Sequence, residues 1–217
     1  MRFLPLLLSF SLSIFAVPCF SPPSDWEMAI PKKDSPFIQV AFLGKSDHLP
    51  RPKLNLAIEE IDVSAKEYLK AVKELHIKRP NTTWRDLGPF KTKAGPGRLT
   101  EIITTSVNGA VRMLQLIVVK DSKAYIMTGA SAKEDFIEQQ QNFIASFHSL
   151  SLLNRLFDPL SEPKKEKLTA LFSHLGSGEK DLERQKLEKL VTEEYQEMGS
   201  YWSFLVLKEG CQKIFTE

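Results

Sequence analysis

Apolar and polar positions divide this chain into three stretches. After Met1-Arg2, the residues from Phe3 to Val17 carry no charge. Such a run is shorter than the roughly 20 residues of a membrane span and suits the apolar centre of a signal peptide. Four prolines among polar residues follow from Ser21 to Pro36, the pattern of a leader. Alternating and continuous apolar runs then predict strands at Phe37 to Gly44, Leu54 to Asp62, Leu99 to Val107, Val111 to Val119 and Ala124 to Thr128. Asn108-Gly109 joins two of them as a hairpin turn. The strand after it is apolar at nearly every position from Met113, which predicts a sheet covered on both faces.

Helices flank these strands. Ser64 and Glu67 form a capping box before apolar positions Ala65, Tyr68, Leu69, Val72 and Leu75, and Pro80 stops that helix. Ser131 and Glu134 repeat the box before a stripe of Phe136, Gln140, Phe143, Ile144 and Phe147. Asn81 to Gly97 reads as a loop with a short strand at Phe90 to Lys93, and Ser149 to Leu153 as a brief edge strand. Beyond Asp158 the chain is charged and helical. One helix opens at Ser161 and Pro163, a second runs through Leu182 to Met198, and a last one from Ser200 to Phe215 breaks near Gly210. The expected division is a signal peptide over 1–19, a leader over 20–36, a sandwich over 37–157 and a helical extension over 158–217.

Composition fits a folded chain: of 217 residues, 42% are apolar and the net charge is only +2, which excludes a disordered one. The charges are uneven. Trp26 to Phe157 holds 19 basic and 14 acidic residues, net +5; Asp158 to Glu217 holds 9 and 12, net −3. Two cysteines do not make a disulfide scaffold. Val17-Pro18-Cys19 predicts cleavage before Phe20; the alternative is lipidation of Cys19.

Catalytic patterns are missing. His48, His76, His148 and His174 fall on separate elements, and no HExxH, CxxC, GxSxG or Walker loop occurs, so no catalytic residue, metal or cofactor is expected. Glu59, Glu60 and Asp62 read most plainly as a solvated strand end, and Asn81-Thr82-Thr83 matches a glycosylation sequon. One patch stands out. Lys78, Arg79, Arg85, Lys91, Lys93 and Arg98 occur with Asp86 as their only acid, interleaved by Trp84 and Phe90. A charged loop whose aromatics pack back on the sheet is the plain reading. The functional one is a surface for an acidic protein partner, anionic lipid head groups or another polyanion. Nucleic acid is not expected of an exported protein.

From Leu99 to Leu152 the chain resembles the PsbP-like family. The resemblance rests on the hairpin Ile102 to Val119, Gln115-Leu-Ile-Val-Val119, Lys123-Ala-Tyr125, Thr128, and the helix from Glu134 to Ser146-Phe147. It implies an α+β fold, an α/β/α sandwich with a central antiparallel sheet, followed here by a helical C-terminal extension. The family includes extrinsic subunits of the photosynthetic oxygen-evolving complex, exported bacterial proteins and lipoproteins without an assigned role, and a related module that binds a small GTPase. It therefore implies protein binding without catalysis. The expectation is an exported, non-enzymatic interaction protein, periplasmic or extracellular. The alternatives are an envelope lipoprotein anchored at Cys19 and a small hydrolase with an unfamiliar site.

Overall fold

A computed structural model describes residues 16–30, 36–106 and 109–215. The apolar run expected as a signal peptide therefore lies outside the described residues up to position 15, as does Asn108 of the hairpin turn.

Seven antiparallel strands form the main sheet: β2 (Glu27–Ala29), β3 (Ile38–Leu43), β4 (Lys53–Glu60), β5 (Thr82–Thr92), β6 (Gly95–Ser106), β7 (Gly109–Lys120) and β8 (Lys123–Ala132). Their order is β2-β3-β4-β8-β7-β6-β5, so β5 is one edge. A separate ribbon pairs β1 (Val17–Cys19) with β9 (Ser151–Leu153). Helices α1 (Ala65–Ile77) and α2 (Phe136–Ser149) belong to opposite faces of the sheet; α3 (Glu162–His174), α4 (Lys180–Glu194) and α5 (Ser200–Phe215) follow. This is the α/β/α sandwich with a helical C-terminal stretch.

Side-chain alternation assigns the two faces. On one, Leu54, Leu56, Leu114, Leu116, Tyr125 and Met127 pack against Phe136, Phe143 and Phe147 of α2. Gly129 is required there, because a Cβ would lie 2.3 Å from the Phe143 ring. On the other face, Ile117, Ala124 and Ile126 meet Tyr68, Leu69 and Val72 of α1. The first capping box forms as expected: Ser64 Oγ accepts from the Glu67 amide and the Ser64 amide donates to the Glu67 carboxylate.

Several expectations are corrected. Residues 20–36 are not simply a leader: Phe20 and Trp26 are buried in the α2-side core and Glu27–Ala29 is a strand. Cleavage before Phe20 would release β1 whole, and cleavage before Cys19 most of it, from its partner β9. Ser131 belongs to β8, paired with Arg112, so the second capping box does not form and α2 begins after Asp135. Gln140 is exposed rather than part of the buried stripe. The expected loop over 81–97 is mostly β5 and the start of β6. Helix α5 continues through Gly210, where a Cβ would lie 2.2 Å from Leu187; the missing side chain lets α4 approach. The final helix also joins two cores. Tyr201 packs in the sandwich, whereas Trp202 and Val206 pack with Leu168, Phe172, Leu187 and Val191. Trp202 is fully buried and its indole donates to the Leu156 carbonyl.

Candidate functional site

The sequence-predicted basic run does not form one patch. The β5–β6 register puts Trp84, Asp86 and Arg98 on the α1 side, and Arg85 opposite Glu101 on the α2 side. A bulge between Asp86 and Gly88 then shifts the alternation, so Phe90 turns to the α2 side and Lys91 to the α1 side. Lys78 and Arg79 lie exposed in the turn after α1, and Lys93 in the β5–β6 turn, where its amide donates to the His148 carbonyl.

Two of the six cations have structural work. Arg85 and Arg112 both reach the Glu101 carboxylate, at 2.8 and 2.5 Å, and that side chain is only 6% exposed. Arg112 also lies over the Phe136 ring, 4.2 Å from its centroid. Arg98 grips Asp86 through two bonds of 2.8 and 2.5 Å. The Arg98 hydrogen bond holds the Asp86 carboxyl below its ordinary pKa, outweighing the opposing effect of burial, and the Gly88 amide adds a smaller lowering.

Sequence reasoning missed the other half of the site. Lys66, Leu69, Lys70 and Lys73 project from α1 to meet Trp84, Asp86 and Arg98, enclosing a groove of about 540 Å³. The spacing i, i+4, i+7 puts the three lysines on one side of the helix. That row is legible in the sequence; its strand partners are not, because Gly88-Pro89 gives their segment the pattern of a loop. The Lys73 ammonium stands 5.4 Å from the Trp84 ring centroid, within cation–π range. The Trp84 indole nitrogen is buried without a hydrogen-bond partner. None of the three lysines forms an ion pair among the described residues. The groove thus carries surplus positive charge.

A second polar cluster lies on the far side of the sheet from this groove's strands. Ser46 Oγ donates to Asp135 at 2.5 Å, and His48 Nδ1 meets the same carboxylate at 2.6 Å. The Asp135 hydrogen bond raises the His48 pKa; Ser46 and then His48 lower that of Asp135. Asp135 stands between hydroxyl and imidazole, and among the described residues no hydrogen bond joins the Ser46 hydroxyl to the His48 ring. A nucleophile–base pair needs that bond. The cluster instead ties the β3–β4 loop to the start of α2. Glu59 is likewise engaged, accepting from the Tyr68 hydroxyl at 2.6 Å.

Cys19 is half-buried and packs against both the sandwich and the helical cores. Burial pushes its thiol up to about 11, outweighing the Phe20 amide and Lys93. No helix among the described residues is long and apolar enough to cross a membrane.

No protein-family model and no curated protein sequence matches the chain. Solved structures similar to it include LpqN, involved in cell envelope biogenesis of Mycobacterium tuberculosis, at TM-score 0.48 and 9% identity over 64% of this chain and 85% of that one. Cyanobacterial PsbP from Synechocystis is similar at TM-score 0.44 and 13% identity, over 65% and 95%. A Pseudomonas aeruginosa protein of unknown function is similar at TM-score 0.40 and 8% identity, over 58% and 81%. The likeness is one of chain path, and no residue role is carried over from it.

Proposed function

We propose that this protein is an exported accessory protein that acts by holding a protein partner rather than by transforming a substrate. The observation that carries this reading is where charge is left unspent. The acids and the histidine that lie close together are tied into structural bonds, as Ser46, His48 and Asp135 are, and as Glu101 is with its two arginines. The lysines of α1 are not, and they border a groove with an apolar wall of Leu69 and Trp84. Charge of one sign round a concave surface draws an oppositely charged partner and speeds its encounter.

Export rests on the uncharged run after Met1-Arg2.

Affinity capture with the full chain, followed by reconstitution from purified components, tests the reading. A stoichiometric complex that forms at low salt and weakens as salt rises is the expected result. Turnover of a small substrate with no partner bound would replace this reading with the hydrolase one.

A further inference from the structure

We propose that the groove beside α1 takes an extended acidic segment of the protein partner. The Lys66, Lys70 and Lys73 ammonium groups pair with its carboxylates, and Leu69 and the Trp84 ring supply an apolar wall. This deepens the partner-binding reading and rests on it.

The geometry favours an extended chain. At about 1.5 Å per residue, Lys66 and Lys73 are separated by roughly 10.5 Å along the α1 axis. Side chains on one face of an extended segment recur about every 6.6–6.8 Å. Two such carboxylates therefore span most of the lysine row. The groove's strand wall includes β5, the edge of the sheet. An edge strand offers outward backbone N–H and C=O groups to a chain lying beside it. At Lys91 that edge is already covered, because His148 Nδ1 lies 2.8 Å from its carbonyl oxygen, so the groove end near Trp84 is the open part.

The chemistry favours carboxylates over a compact phosphate. The groove's one guanidinium, Arg98, is spent on Asp86, which is also the groove's only acid. No free Arg fork is left for bidentate phosphate binding. The Ser64–Glu67 capping box occupies the α1 N-terminus, the other common phosphate site. What remains is a row of flexible point charges beside the apolar Leu69 and Trp84.

Tryptophan fluorescence of the full chain, titrated with a synthetic Glu-rich decapeptide, reads the site directly. Trp26 is 8% exposed and Trp202 fully buried, so a change in emission reports Trp84. The expected result is a saturable change that salt weakens and that Trp84→Phe abolishes. Lys66→Gln, Lys70→Gln and Lys73→Gln together weaken binding roughly tenfold, as loss of three rim charges does, with an unchanged melt. An absent response overturns the proposal. So does a response equal in the triple variant, or one given by inorganic polyphosphate or anionic phospholipid vesicles and not by the peptide. A captured partner that binds the triple variant as well as the wild type overturns the groove and leaves partner binding standing. Peptide binding with no partner complex retains the groove as an acidic-peptide site and removes the partner-binding reading.

Discussion

The ring of Tyr201, on the last helix, lies 4.9 Å from that of Phe20, near the start of the described chain, tilted by 44°. Both rings also meet Phe42 edge-on, at 6.2 and 5.7 Å. The two ends of the sequence thus close the α2-side core together. A chain ending near Asp158 lacks Tyr201 and leaves this core incomplete. That truncation would uncover Phe20 and Phe42, so it is expected to give insoluble protein or a broad, non-cooperative melt. Tyr201→Ala in the full chain should cost about 3–5 kcal/mol by denaturant unfolding, as large buried aromatic truncations do.

The contact between α2 and the sheet leaves no slack. Phe143 is fully buried, and Phe143→Ala should destabilise by about 3–5 kcal/mol. Gly129→Ala attacks the same contact from the strand and should cost about 1–3 kcal/mol through overpacking. Lys133→Ala, exposed just before α2, should stay within about 0.5 kcal/mol. Chemical denaturation of the three variants provides the ranking.

Glu101 should matter to stability more than either arginine it holds. Its removal leaves two guanidinium groups facing a buried, unpaired position, and Glu101→Ala should cost about 1–3 kcal/mol. Arg85→Glu puts a second carboxylate beside the buried one and should lower the melting temperature. Lys91→Glu and Lys93→Glu, both exposed, should not.

His48 and Asp135 make a pH-dependent tie between the β3–β4 loop and α2. The histidine's pKa is raised from 6.5, so its contribution is complete below that value and fades as pH rises through the folded pKa. The aspartate's pKa is lowered from 3.8, so its contribution is present above that value and fades as pH falls through the folded one. Between these limits the tie is strongest. NMR titration should place His48 above 6.5, and Asp135→Asn should bring it back towards that value.

Most of the sheet was legible because its central strands are apolar and its turns carry strong signals. Gln115-Leu-Ile-Val-Val119 has few alternatives to a buried strand, and Ser64 with Glu67 marks the start of α1. Strand β5 was not legible. As an edge strand with a bulge at Asp86 to Gly88, it spreads Trp84, Leu87 and Phe90 without a period of two, and Gly88-Pro89 mimics a turn. That error hid the groove, whose floor needs Trp84 and Asp86 to point one way and Arg85 the other. Phe20 and Tyr201 were illegible for another reason. Each sits in an unremarkable local pattern, and only a contact spanning nearly the whole chain buries it. Ser131 misled because its capping-box spacing is local, while its pairing with Arg112 across β7 and β8 prevailed.

Site-specific crosslinking tests the central claim most directly. A photoreactive amino acid replaces Lys70, on the rim of the groove, in the full chain, and crosslinked peptides are identified by mass spectrometry in the reconstituted complex. The account predicts crosslinks to one acidic segment of one partner, lost when the same group is placed at exposed Lys133. Crosslinks that concentrate at Lys133, or a complex that forms with none at Lys70, would contradict it.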